Sequence, residues 1–183
     1  SRQLPVMVAT SISTFWKKGE NHSRNNNKVF GIEYITSGKA LFKSDKKEYA
    51  LRPGDVFIKH KGVDLSLSPE TGSFLIKRGI NFTGALLSNL IESFGLKNEY
   101  VIHIENVSQL LRLLKQVNLL MGSYNESASY RLGNLAFEIL SLLSQALKKN
   151  QIDDLTGRLS FYITSNLHKK ITNEEMCKEI GRA

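Results

Sequence analysis

Between Val29 and Lys59 the chain alternates short β-forming runs with turn chemistry, and this alternation constrains the fold more than any other stretch. Val29–Ile35 is a dense run of β-formers closed by Thr36-Ser37-Gly38. Ala40–Lys43 resumes extended chain, Ser44-Asp45-Lys46-Lys47 makes a polar turn, and Glu48–Leu51 follows. Arg52-Pro53-Gly54-Asp55 turns the chain again before Val56–Lys59. Gly38 and Gly54 supply the positive φ that tight turns need, and Pro53 fixes φ at the first corner of its turn. Strands of this length joined this way suggest a small antiparallel barrel or sandwich.

The β pattern continues beyond Lys59. Val63–Ser68 alternates apolar and polar residues, as a half-buried strand does, and Pro69-Glu70-Thr71-Gly72 turns it. In Ser73–Phe82, one face carries Phe74, Ile76, Arg78, Ile80 and Phe82, and the other carries Leu75, Lys77, Gly79 and Asn81. Turning Lys77, Gly79 and Asn81 inward would make a polar cavity with room left by the glycine. Turning them outward would make a solvated face, and periodicity does not choose between the two.

From Gly84 the period becomes helical. Ala85–Phe94 carries Leu86, Leu87, Leu90, Ile91 and Phe94, with Gly95 as a stop residue, and Tyr100–Ile104 reads as a short extended return. Asn106 or Ser108 caps a helix to about Met121. A longer helix is expected from about Ser127 to Lys149, then a linker at Gln151-Ile152-Asp153-Asp154. Leu155–Asn166 is amphipathic, and Asn173–Ile180 opens with Thr172 and Glu175 at capping-box spacing.

At 183 residues the chain suits one full domain plus a fragment of another. Its single cysteine, Cys177, excludes an intramolecular disulfide framework and, with no early signal-peptide-like run, points to a cytoplasmic setting. No segment approaches the roughly 20 consecutive apolar residues of a membrane helix. The formal net charge is +8, yet from Gln151 onward five basic residues balance five acidic ones. The excess therefore falls on residues 1–150, much of it at Lys39, Lys43, Lys46, Lys47, Lys59 and Lys61. Solvated strand faces and lysine-protected sheet edges account for it, and a phosphate-binding patch is the alternative.

The Ser37-Gly38 turn, the following hairpin, Leu51-x-Pro53-Gly54-Asp55 about fifteen residues on, and Asn81-Phe82-Thr83-Gly84 closing the β region together resemble the cupin sensor barrel of AraC-type transcriptional regulators. The segment YITSNLHKKITNEEMCKEIG resembles the first two helices of that family's DNA-binding domain, with Met176 and Cys177 where Leu-Ala is usual. The resemblance implies a mainly β plus α chain. A cupin-like barrel (double-stranded β-helix or jelly roll) with an N-terminal arm would span 1–84, a helical dimerisation layer 85–150, and the truncated start of an all-α helix-turn-helix domain 151–183.

It further implies a small effector inside the barrel, a sugar or related metabolite, and an arm closing over the mouth, formed by residues 1–28, which by themselves read as an edge strand and a mobile loop. Family geometry and face alternation point to Thr10, Trp16, Arg24, Glu33, Asp64, Ser66, Lys77 and Asn81 as its contacts. Trp16, the one tryptophan, is either ordinary packing or a flat surface for a sugar ring. Glu33, in an otherwise apolar strand, either faces solvent or is buried and bonded to a ligand or paired with an arginine. The wide stripe including Leu132, Leu135, Ile139, Leu142 and Leu143 reads by itself as a helical layer over the barrel; the resemblance implies that it serves a homodimer, and that Lys169, Lys170 and Arg182 contact DNA.

Cupin barrels also house metalloenzymes, whose ligands are two histidines one residue apart, a nearby glutamate and a later histidine. His22, His60, His103 and His168 are scattered, and the chain has no His-x-His. No nucleophile elbow or phosphate-binding glycine loop occurs either. The expectation is a regulator without catalysis, metal or cofactor. A cupin enzyme (isomerase or dioxygenase) and an effector-free dimerisation module are the alternatives.

Overall fold

The structure, a computed structural model, describes residues 4–122, 125–166 and 171–181. It divides into two compact units, 1–144 and 145–183.

The first unit is built on nine strands: β1 Met7–Trp16, β2 His22–Arg24, β3 Phe30–Ser37, β4 Ala40–Ser44, β5 Lys47–Leu51, β6 Asp55–Lys59, β7 Leu65–Pro69, β8 Leu75–Thr83 and β9 Val101–His103. They form a five-stranded sheet in the order β1-β8-β3-β6-β9 and a four-stranded sheet in the order β2-β7-β4-β5, with every pairing antiparallel. The turns behave as their residues dictate. Gly38 (φ +86°) and Gly54 (φ +97°) lie in the left-handed region, and a β-carbon on Gly38 would stand 2.0 Å from the Phe74 carbonyl oxygen. Between β4 and β5, Asp45 and Lys46 both take positive φ (51° and 64°), the geometry of a type I′ hairpin.

The inner faces of the two sheets meet in an apolar core. Ile35, Phe57 and Leu75 come from the larger sheet, and Ala40, Phe42, Leu51, Leu65 and Leu67 from the smaller. On the opposite face of the larger sheet, Ile32, Val56, Ile58 and Ile80 are also buried. Helices α1 Leu87–Ser93 and α2 Ser108–Met121 follow, and Ser11 of β1 hydrogen-bonds Asn118 of α2.

Two expectations change. Residues 7–16 pair along nearly their whole length with β8, from Met7–Thr83 to Trp16–Leu75. They are an edge strand of the five-stranded sheet, and β2, paired with β7, is an edge strand of the four-stranded one. Residues 7–16, laddered to β8, thus belong to the sheet instead of forming an arm folded over the mouth. The expected linker at 151–154 is helical instead. Helix α3 runs unbroken over Glu126–Ser165, because Asp153 and Asp154 only lower helix propensity, Gln151 is a good helix former, and none of them stops a helix as proline would.

In the second unit, α4 Asn173–Ile180 begins with the expected capping box. The Glu175 N–H donates to Thr172 Oγ1 at 3.3 Å, and the Thr172 N–H donates to Glu175 Oε2 at 3.0 Å. No helix among the described residues is long and apolar enough to cross a membrane.

Candidate functional site

Strand β3 lies between β6 and β8, and this places a charged cluster on the face of the larger sheet that looks toward the smaller one. Glu33 stands opposite Phe57 on β6 and opposite Gly79 on β8. Lys59 is two residues beyond Phe57, and Lys77 two residues before Gly79. Both lysines therefore share Glu33's face as diagonal neighbours, within reach of a long side chain. Lys59 Nζ donates to Glu33 Oε1 at 2.6 Å, and Lys77 Nζ donates to Glu33 Oε2. All three side chains are buried.

Glycine makes the arrangement sterically feasible. A β-carbon on Gly79 would lie 2.5 Å from Glu33 Cγ, and one on Gly31 would lie 3.1 Å from Lys59 Cε. The face of β8 carrying Lys77, Gly79 and Asn81 is thus the inner one.

A cavity of about 200 Å3 opens beside this cluster. Its apolar walls include Ile12, Phe57, Leu65 and Leu67, and its polar groups include Trp16, His22 and Arg24. Lys77 Nζ sits 4.6 Å from the centre of the Trp16 ring, a cation–π contact. Arg24 Nε donates to His22 Nε2 at 2.6 Å.

Burial works to raise the Glu33 pKa, but attraction and hydrogen bonds from Lys59 and Lys77 overcome it and hold the carboxyl below its ordinary value. Lys59 is held below the usual lysine value by burial, against the pull of Glu33. Burial first, and then the charges of Arg24 and Lys77, lower the pKa of His22. At neutral pH His22 is therefore an uncharged acceptor for Arg24. The cavity holds one carboxylate against the cations Lys59, Lys77 and Arg24.

Of the eight residues expected at the effector, Trp16, Arg24, Glu33 and Lys77 converge here. Thr10 and Asn81 meet elsewhere: Asn81 Nδ2 donates to Thr10 Oγ1 at 2.7 Å, and both line a second cavity of about 690 Å3 beside α1. Asp64 and Ser66 line a third depression together with Lys43 and Lys46, and Asp64 Oδ1 accepts the Asn26 N–H at 2.7 Å. Ser66 alternates with the inward-facing Leu65 and Leu67, which turns it away from the cavity.

Lys59 and His22 were missed. Lys59 reads as one more solvated strand lysine, yet it is 4% exposed. The available signal was Glu33, which in a buried strand requires a cation on a neighbouring strand.

Leu132, Leu135, Ile139 and Leu143 are buried within the single chain, and Leu142 is partly so. The stripe assigned to a dimer is thus largely the inner face of α3. Lys169, Lys170 and Arg182 lie outside the described residues. Among the described residues no group of three or more histidines, cysteines or carboxylates could hold a metal ion. Inside the barrel, ammonium groups stand beside the one carboxylate, and a protonated amine is not a metal ligand.

ToxT from Vibrio cholerae O395 superposes with a TM-score of 0.51 at 15% identity, covering 94% of this chain and 72% of ToxT. A predicted oxalate decarboxylase from Thermotoga maritima (TM-score 0.38, 18% identity) covers 41% of this chain, which spans 66% of that protein. KdgF from Halomonas sp. (TM-score 0.35, 13% identity) covers 44% of this chain and 73% of its own. The ToxT likeness is one of fold. No curated protein matches the chain in sequence. The family model described as the AraC-like ligand-binding domain matches residues 17–140, more than half of the sequence. The chain belongs to the AraC-like ligand-binding domain family.

Proposed function

We propose that the chain is the effector-sensing part of a ligand-responsive transcription regulator of AraC type, and that a sugar or related small metabolite enters the barrel beside Glu33. The observation that carries this reading is the charged cavity of about 200 Å3 inside the barrel of a ligand-binding-domain family member. An effector-free module would have filled that space with apolar side chains. ToxT, of the same fold, is described bound to (E)-4-(8-methylnaphthalen-1-yl)but-3-enoic acid, so a small-molecule ligand is compatible with the architecture.

In this reading two copies associate through their helices, and a helix-turn-helix part contacts DNA. Exposed apolar side chains that could serve association include Leu119 on α2 and Tyr130 and Phe137 on α3. Binding at the barrel favours one arrangement of the pair over another, and a coupling of roughly 1–3 kcal/mol suffices for such a switch.

A thermal-shift screen of sugars and uronates tests the proposal. A true effector at about 100 times its Kd adds about 2.7 kcal/mol of stability, and replacing Trp16 by alanine should reduce that gain. A screen in which stabilising compounds act equally on the Trp16→Ala protein would place the ligand elsewhere.

A further inference from the structure

We propose that the effector of the barrel cavity is an acid, a small organic molecule bearing a carboxylate or a phosphate monoester. The inference rests on the effector reading above and narrows its ligand. Each lysine ammonium carries three N–H donors. Among the described residues, Lys59 and Lys77 each make one hydrogen bond, both to Glu33, whose two oxygens are thereby each engaged by one lysine. Four ammonium N–H donors therefore have no oxygen or nitrogen acceptor among the described residues, on two side chains that line the same cavity, Lys77 resting in addition against the Trp16 ring.

The charges tell the same story. One buried carboxylate serves two buried ammonium groups, and Arg24 adds a third cation to the lining. His22 adds none, because its Nε2 accepts from Arg24. An uncompensated buried cation is costly, and an anion entering the cavity relieves that cost while satisfying the spare donors. A neutral sugar relieves only the second deficit.

The remaining lining sets the body of the ligand. Ile12, Phe57, Leu65 and Leu67 offer apolar contact, and about 200 Å3 lies below the roughly 300–1,000 Å3 of drug-sized pockets, so the ligand is compact. Lys77 occupies the face of Trp16. An anion that draws Lys77 away from the ring alters the surroundings of the chain's one tryptophan.

That tryptophan supplies the readout. The full chain is titrated by intrinsic fluorescence with matched acid and neutral probes: acetate with acetamide, galacturonate with galactose, and glycerol phosphate with glycerol. The expected result is that an acid binds about tenfold or more tightly than its neutral partner, as hydrogen bonds to a charged group imply. The carboxylate and phosphate arms then identify which anion the cavity takes.

Lys59→Met leaves Glu33 paired with Lys77 alone and removes both a charge and spare donors, so it should weaken the acid about tenfold or more and the neutral probe, which loses only hydrogen bonds, distinctly less. Arg24→Gln, at an exposed residue, weakens the acid in a protein whose fold is not at risk. A neutral probe binding as tightly as its acid overturns the anion inference and leaves the effector reading standing. No change of fluorescence with any probe up to about 100 times the concentrations at which metabolite sensors work overturns both.

Discussion

Glu33 and Gly79 face each other across the paired strands β3 and β8, and a β-carbon on Gly79 would stand 2.5 Å from Glu33 Cγ. The Ile32 carbonyl oxygen would be only 2.9 Å away, so the new methyl has no free direction. Gly79→Ala should lower stability by about 1–3 kcal/mol, the usual cost of overpacking. Urea denaturation measures it, and an unchanged midpoint would mean that the strands part easily at this position.

Removing the carboxylate has a larger effect. Glu33→Gln leaves Lys59 and Lys77 buried without a counter-charge and should cost about 3–5 kcal/mol at neutral pH. The pH dependence follows from the direction of the shifts. Because the folded pKa of Glu33 is depressed, its stabilisation is present above the ordinary carboxylate range and lost as pH falls through the folded value. The variant should therefore lose less stability on acidification than the parent. Lys59 acts in another window: its lowered pKa makes stability rise as pH climbs from the folded value toward about 10.4. Stability curves of both proteins across pH test these signs, and parallel acid limbs would contradict the Glu33 assignment.

The stripe on α3 separates core from interface. Ile139 is fully buried in the single chain, so Ile139→Ala should cost about 2–5 kcal/mol regardless of protein concentration. Leu142, only partly buried, should cost less. A destabilisation by Ile139→Ala that vanishes at high protein concentration would return that residue to a subunit interface.

At α4 the reciprocal pair of Thr172 and Glu175 predicts a local effect. Thr172→Ala should weaken the helix by about 0.5–2 kcal/mol. Faster amide exchange confined to the first turn of α4 would register it, and unchanged exchange would show the cap to be dispensable.

Much of this architecture was readable in one dimension. Turn residues at Gly38 and Gly54 and the runs between them marked strands β3 to β6 within a residue or two. Thr172 and Glu175 announced a helix start because both partners of the cap are local. The site was legible only in part. Alternation divided β8 into two faces, and Glu33 stood out as a polar residue among apolar neighbours. The pairing of Glu33 with Lys59, 26 positions away, and with Lys77, 44 away, was not written in any local pattern.

What the chain alone determined was therefore the set of local choices: where strands turn, where helices are capped, and which residues share a face. These depend on φ, on side chains that reach their own backbone, and on the two-residue period of a strand. Only the tertiary structure decided which face is inside, because that depends on which strands become neighbours. The order β8-β3-β6 brings two lysines to one glutamate and turns a surface-like residue, Lys59, into the wall of a cavity. A lysine carries the same side chain in water and in a barrel, and its partners alone make the difference.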